Sequence, residues 1–150
     1  MNHDKSKPES GSLGIPQEAL IEAIDREYIY FAYNREDLGS DVGGNLEENR
    51  DNGVFPLYTG YDWGTIAAWA WGYKLIIDYF ENQDFVDTGK VVVTGHSRGG
   101  KTAFAGGVFD GRVNVTAPNS SGLGGTSSHL FDEVTCPGNR ANHLRLFLIR

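Results

Sequence analysis

The central part of the chain reads Val91-Val92-Val93-Thr94-Gly95-His96-Ser97-Arg98-Gly99-Gly100-Lys101-Thr102. Its first residues are β-branched and apolar, which predicts a strand, and its glycines predict a tight turn directly after that strand. The small residues between 103 and 109 predict a helix behind the turn. A strand, a sharp turn and a helix place side chains and backbone N–H groups at one end of a sheet, where a ligand can reach them.

One motif in this stretch is G-x-S-x-G, formed by Gly95, Ser97 and Gly99. In a nucleophile elbow the serine occupies a strained turn between strand and helix, so that its hydroxyl is exposed above the sheet. The flanking positions come so close to the neighbouring backbone that only glycine avoids a Cβ clash. The motif therefore indicates Ser97 as a nucleophile and the backbone N–H of Arg98 as a donor to an oxyanion.

A second motif overlaps the first. Gly95, Gly100, Lys101 and Thr102 match G-x-x-x-x-G-K-[ST], which cradles phosphates with its backbone and places the lysine on the phosphates and the hydroxyl on Mg²⁺. Both motifs require a strand before them and a helix after them, so the local sequence leaves both open. A glycine-rich turn with an incidental serine is the third interpretation.

Composition limits the class of protein. A chain of 150 residues is long enough for one domain with a core, and a formal net charge of −7 argues against binding to nucleic acid or to an anionic membrane. No apolar run is long enough to span a bilayer. The single cysteine, Cys136, permits no internal disulfide and no cysteine metal cluster, and we expect neither a metal nor a cofactor.

The chain begins with a polar segment. Residues 1–14 are rich in Ser, Gly, Lys and Glu and lack the apolar core of a signal peptide. We interpret them as a disordered arm. As written, the sequence predicts a cytoplasmic protein, whereas a truncated N-terminus would make a secreted or periplasmic protein equally consistent.

Helix and strand patterns alternate along the rest of the chain. Helices are predicted over 16–24 and over 62–80, the latter with Asp62 as N-cap, and strands over 28–33, 91–94, 113–117 and 144–149. Alternation of this kind indicates an α/β architecture with a parallel sheet. Functional groups in such sheets gather at the carboxyl ends of the strands, so we expect Ser97 to lie near the glycine-rich loop at Ser120.

Two features outside the motif have two interpretations each. The tryptophans of the second helix are expected to pack in the core, with a sugar-stacking platform as the alternative. The long loop over 34–56 carries acids that we interpret as a solvated surface rather than as metal ligands, namely Asp37, Asp41, Glu47, Glu48 and Asp51.

Three successive segments carry a family resemblance. Residues 63–72, residues 95–101 and residues 121–125 resemble landmarks of the glucuronoyl esterases, which are α/β-hydrolases that cleave esters of 4-O-methyl-glucuronic acid. The resemblance covers about residues 28–130. It implies a three-layer α/β-hydrolase-like sandwich with a mostly parallel sheet, and a carboxylic ester hydrolase that acts on uronate esters, as small molecules or in plant cell-wall polysaccharide.

The resemblance also implies roles for individual residues. Ser97 corresponds to the nucleophile, and Arg98 to the residue that stabilises the oxyanion through its N–H and its guanidinium. Lys101 corresponds to the residue that binds hydroxyls of the glucuronoyl sugar. A guanidinium beside the reacting carbonyl is chemically reasonable, because the tetrahedral intermediate of ester cleavage is an anion.

The sequence departs from the family pattern in its catalytic partners. His96 stands where many members have cysteine, and Ser120 stands where the catalytic acid is often found. Only His129 and His143 follow Ser97, and neither lies in a recognisable family context. We therefore predict that residues 15–150 are a partial α/β-hydrolase domain, incomplete at both ends, with an atypical tail over 136–150. A non-catalytic hydrolase fragment without its histidine base remains the alternative to an active esterase.

Overall fold

The structure is a computed structural model that describes residues 17–41, 50–126 and 143–149. All four predicted strands are present. The helices and strands follow in the order α1 Gln17–Asp25, β1 Tyr28–Asn34, α2 Thr65–Phe80, β2 Asp87–His96, α3 Arg98–Phe109, β3 Val113–Asn119 and β4 His143–Ile149, with short 3₁₀ turns at Arg35–Asp37 and Phe55–Leu57. The predicted arm at residues 1–14 lies outside the described residues.

The four strands form one sheet in the order β1-β4-β2-β3. β2 and β3 are parallel, whereas β4 is antiparallel to both of its neighbours, β1 and β2. Three strands therefore run in one direction, as the predicted parallel sheet requires. The fourth strand, β4, runs in the opposite direction and lies between β1 and β2. The sequence did not predict this direction or this position. An alternating pattern of apolar residues, such as that of β4, is compatible with a strand inside a sheet and with a strand at its edge. The pattern therefore does not predict which of the two positions β4 takes.

Helices lie on both faces of the sheet. On one face, the core joins α2, β2 and α3 through Trp69, Tyr73, Ile77, Phe80, Val91, Val93 and Ala103. Val92 points to the opposite face, because successive side chains of a strand alternate. There it lines a cavity of about 340 Å³ together with Ala19 and Ala23 of α1. This arrangement agrees with the three layers that the resemblance implied.

Two helix starts differ from the prediction. α2 begins at Thr65 with Gly64 as its N-cap, rather than at the predicted N-cap Asp62. α3 begins at Arg98, well before the predicted start of its helix at residue 103. Gly100 was counted as part of the turn, but it lies inside α3, where a Cβ would be only 2.8 Å from the carbonyl oxygen of Asn119. Close packing, rather than turn geometry, requires glycine at this position.

Arg112 connects α2 to the turn that precedes β3. Its guanidinium contacts the carboxylates of Asp78 at 2.8 Å, Glu81 at 2.7 Å and Asp110 at 2.6 Å. The hydrogen bond from Arg112 lowers the pKa of the Asp110 carboxyl. A carboxyl whose pKa is lowered by folding stabilises the fold above its unfolded-state pKa, and this stabilisation is lost as the pH falls through the folded-state pKa.

We expect Arg112→Met to lower the free energy of unfolding by about 1 kcal/mol at neutral pH, because partly exposed ion pairs contribute on that scale. The difference from wild type should shrink in acid, where Asp110 becomes protonated. Urea unfolding at several pH values measures it. Arg26→Met removes the exposed pair with Glu22 on α1 and is the matched control. Equal midpoints for Arg112→Met and wild type at pH 7 would contradict the expectation.

Candidate active site

Ser97 alone forms the turn between β2 and α3. β2 ends at His96 and α3 begins at Arg98. The backbone of Ser97 has φ 55° and ψ −119°, a conformation that residues with a Cβ rarely adopt. The side chain is exposed and makes no capping hydrogen bond to α3. A strained backbone of this kind persists only where the surrounding structure holds it, and it concentrates at functional sites.

Several contacts hold the turn in this conformation. The N–H of Ser97 donates to the carbonyl of Asn119 at 2.9 Å, and the carbonyl of Ser97 accepts from the N–H of Lys101 at 3.1 Å. A Cβ on Gly95 would lie 2.4 Å from the carbonyl oxygen of Gly99. Gly95 of the G-x-S-x-G motif is therefore required by the close approach of β2 to the first turn of α3.

The same geometry excludes the phosphate-loop interpretation. A phosphate loop needs an open run of backbone N–H groups between strand and helix, but here a single residue connects them. Lys101 and Thr102 already lie inside α3. Thr102 is fully buried, and its hydroxyl donates to the carbonyl of Arg98 at 3.0 Å, so it is not available to Mg²⁺.

The loop after β3 packs against the start of α3, as predicted. The Lys101 ammonium donates to the carbonyl of Leu123 in this loop. Ser121 is buried, and its hydroxyl oxygen accepts from the N–H of Thr126 at 2.9 Å, which closes the loop on itself. Ser120 is exposed with a φ of 47°, so the loop carries a second strained serine at the edge of the sheet where Ser97 lies.

Arg98 makes an ion pair with Asp41, a partner that the sequence does not indicate. Its guanidinium lies 2.7 Å from one carboxylate oxygen of Asp41, while the other oxygen lies 2.5 Å from the guanidinium of Arg35. The Asp41 side chain is 13% exposed and that of Arg35 only 5%. The interpretation of Asp41 as a solvated surface acid was therefore wrong. As the first residue of α3, Arg98 also has a backbone N–H without an acceptor inside the helix.

Comparison with known protein families gives a match over most of the chain. A family model described as "Glucuronyl esterase, fungi" matches residues 12–144 of the chain. The chain belongs to the glucuronyl esterase family.

Individual relatives match shorter parts of the chain. A carbohydrate esterase from an unknown prokaryotic organism is 51% identical over 65 residues, which are 43% of this chain and 15% of that protein. A 4-O-methyl-glucuronoyl methylesterase of Podospora anserina is 36% identical over 99 residues, covering 63% of this chain and 20% of the relative. A multidomain esterase of Ruminococcus flavefaciens is 32% identical over 122 residues, covering 75% of this chain and 16% of that protein. The chain thus spans one fifth or less of the length of these relatives.

The family resemblance implies a histidine base, and the backbone brings one of the two downstream histidines to this edge of the sheet. His143 is the first residue of β4. Because β4 is antiparallel to β2, with Thr94 opposite Arg145, β4 begins at the edge where β2 ends. His129, the other downstream histidine, lies outside the described residues. His96 precedes Ser97 directly and is partly exposed.

The three tryptophans of the chain fall into two groups. Trp69 is 1% exposed and belongs to the core, which confirms the packing interpretation for this residue. Trp63, just before α2, and Trp71 line an open cavity of about 290 Å³ together with Tyr58 and Tyr61. Binding of a sugar in this aromatic cavity stays a prediction.

The described residues hold no group of three or more His, Cys, Asp or Glu side chains arranged for a metal ion. Within the same ranges, no helix combines the length and the apolar character that crossing a bilayer requires.

Proposed function

We propose that this chain carries the nucleophile of a carboxylic ester hydrolase that acts on uronate esters of plant cell-wall polysaccharide. The observation that supports it most directly is the conformation of Ser97, an exposed serine with a strained backbone in a one-residue turn between β2 and α3. Membership of the glucuronyl esterase family points to the same chemistry. A polysaccharide substrate lies outside the cell, so the proposal implies that the enzyme acts in the periplasm or after secretion.

The reaction would begin with attack of the Ser97 hydroxyl oxygen on the ester carbonyl, while a histidine base takes the hydroxyl proton. His143 is the candidate base among the described residues, because β4 begins beside the end of β2. The carbonyl oxygen becomes an oxyanion, which the backbone N–H and the guanidinium of Arg98 stabilise. The alcohol leaves with a proton, and water then releases the uronate from Ser97.

Lys101 would bind hydroxyls of the sugar ring. Its ammonium lies at the start of α3, one helical turn from Ser97, and already donates to the carbonyl of Leu123. An ammonium has three donors, so a sugar hydroxyl can be bound while this contact is kept. The esterified uronate is uncharged, so a chain with a net charge of −7 does not repel the substrate.

Labelling with a fluorophosphonate tests the nucleophile. We expect the probe to phosphonylate Ser97 in the folded wild-type chain, with loss of fluoride, because an activated hydroxyl attacks phosphorus as it attacks a carbonyl. Mass spectrometry of the peptides locates the adduct. Ser97→Ala should abolish labelling. Ser120→Ala should leave it intact, which makes it the matched control, since Ser120 is also exposed with a positive φ at this edge of the sheet.

Either of two results would reject the proposal. Labelling that persists in Ser97→Ala would place the reactive group elsewhere. A folded wild-type chain that takes up no label would instead favour the non-catalytic hydrolase fragment, in which Ser97 lacks its base. Where labelling succeeds, release of alcohol from methyl glucuronate, compared with release from a methyl ester without the sugar, tests the substrate class.

A further inference from the structure

We propose that Asp41 is a positioning residue that fixes the guanidinium of Arg98 beside Ser97. In this proposal Arg35 anchors Asp41, and its charge makes the formal charge of the group Arg35, Asp41 and Arg98 positive. This inference rests on the proposed function, because it assigns the guanidinium of Arg98 to the oxyanion. It adds to that function two residues far from the motif, Asp41 and Arg35, and Asp41 lies 57 positions before Arg98 in the chain.

The Asp41 carboxylate is divided between two arginines. One oxygen binds Arg98 at 2.7 Å and the other binds Arg35 at 2.5 Å. The Arg98 side chain is 52% exposed and the Arg35 side chain 5%. The carboxylate therefore connects a guanidinium at the surface of the site to one held inside the protein.

Arg35 is held rigidly in the protein. Its guanidinium carbon lies 4.5 Å from the centre of the Trp69 ring, a cation–π distance. Trp69 is itself fixed, because its indole N–H donates to the carbonyl of Gly39 at 2.7 Å and its carbonyl accepts from the hydroxyl of Tyr33. Burial raises the pKa of Tyr33 well above its usual value, so this hydroxyl keeps the proton that it donates.

The backbone that carries Asp41 is tied down as well. The carbonyl of Leu38 accepts from the N–H of Val54 at 3.1 Å, and the N–H of Ser40 donates to the side chain of Asn52 at 2.8 Å. Together with the bond from Trp69 to Gly39, these contacts fix three successive residues before Asp41. The carboxylate is therefore a fixed reference point for Arg98 rather than a mobile surface acid.

The charges of Arg35, Asp41 and Arg98 favour the same role. An isolated pair of Asp41 and Arg98 would be neutral and would offer little to an oxyanion. With Arg35, the three side chains together carry two positive charges and one negative charge, so the formal charge of the group is positive. Charge that is fixed in place before the reaction stabilises the transition state without the cost of reorganising during the reaction. A half-exposed arginine without Asp41 would lose this advantage, since it would sample many rotamers.

The first measurement is the rate of fluorophosphonate labelling of Asp41→Asn, which keeps the shape of the side chain and removes its charge. We expect the rate to fall about 10-fold, less than the roughly 100-fold loss that follows removal of an oxyanion donor itself. Asp51→Asn is the matched control, because it changes the net charge by the same amount at an exposed position of the loop over 34–56, which also carries Asp41. We expect its labelling rate to stay within about twofold of the wild-type rate.

The second measurement separates positioning from a general loss of stability. Arg98→Ala keeps Arg35 and Asp41 paired and leaves room for a free guanidinium ion beside the carboxylate. We expect millimolar guanidinium to restore part of the labelling rate of Arg98→Ala, whereas sodium at equal ionic strength restores none. The double variant Arg98→Ala with Asp41→Asn should not be rescued, because the carboxylate that seats the ion is gone.

The third measurement does not depend on catalysis. Motion of the Arg98 side chain is followed by ¹⁵N relaxation at its Nε in wild type and in Asp41→Asn, with Arg98→Lys to assign the signal. We expect a restricted side chain in wild type and a mobile one in Asp41→Asn. An equally mobile Arg98 in both would overturn the inference, as would equal labelling rates or rescue of the double variant. If Ser97 takes up no label in wild type, the proposed function fails and the relaxation data alone decide on the positioning role.

Discussion

Gly95→Val should prevent the chain from reaching its native fold. A Cβ at Gly95 would lie 2.4 Å from the carbonyl oxygen and 2.5 Å from the carbonyl carbon of Gly99, and both are backbone atoms that no rotamer change can move away. Gly95 pairs with Pro118 of β3, so the strand has little freedom to shift. Overpacking of side chains alone costs about 1–3 kcal/mol, and a clash between backbone segments costs more, out of a typical total stability of about 5–15 kcal/mol.

Circular dichroism and urea unfolding measure the effect, and fluorophosphonate labelling should disappear together with the fold. Gly111→Val is the matched control, because a Cβ at Gly111 meets nothing within 4 Å. The control should unfold at the same urea concentration as wild type. A Gly95→Val protein with a wild-type midpoint would mean that β2 and α3 do not approach each other at the turn.

Leu146→Pro should have the second largest effect, because β4 is hydrogen-bonded on both sides. Leu146 is opposite Phe31 of β1 and opposite Val93 of β2. Proline removes the N–H of this residue and is tolerated in sheets mainly at edges. The substitution removes the backbone hydrogen bond that this N–H donates and leaves the accepting carbonyl of the neighbouring strand without its donor. Together these losses lower the free energy of unfolding by about 2–4 kcal/mol. In addition, β4 is the strand that joins β1 to β2 among the described residues.

Urea unfolding and hydrogen exchange at the amides of β1 and β2 measure this effect. We expect faster exchange in both strands, since each loses its partner. Leu146→Val keeps the N–H and favours a strand, so it should stay close to wild type. If Leu146→Pro matches Leu146→Val in stability and exchange, β4 does not occupy the interior of the sheet. Labelling of Ser97 should also fall in Leu146→Pro, because Asp41 follows β1 and Arg98 follows β2.

Local patterns predicted the parts of the site that depend on neighbouring residues. Ser97 was identified because glycines at 95 and 99 are required wherever a strand turns directly into a helix, and the structure gives the contact that requires one of them. The strands were recognised from their β-branched and aromatic residues, and Trp69 was assigned to the core. The start of α3 was missed, because glycines at 99 and 100 suggest a turn when their contacts are unknown.

The sequence by itself determined the turn at Ser97, the four strands and the family, because each depends on residues close together in the chain. Tertiary structure decided between the nucleophile elbow and the phosphate loop, since the one-residue turn at Ser97 and the burial of Thr102 inside α3 separate them. It also placed β4 between β1 and β2 and brought Asp41 to Arg98. Pairing of strands and of charges distant in sequence depends on how the whole chain packs, and no local periodicity encodes it.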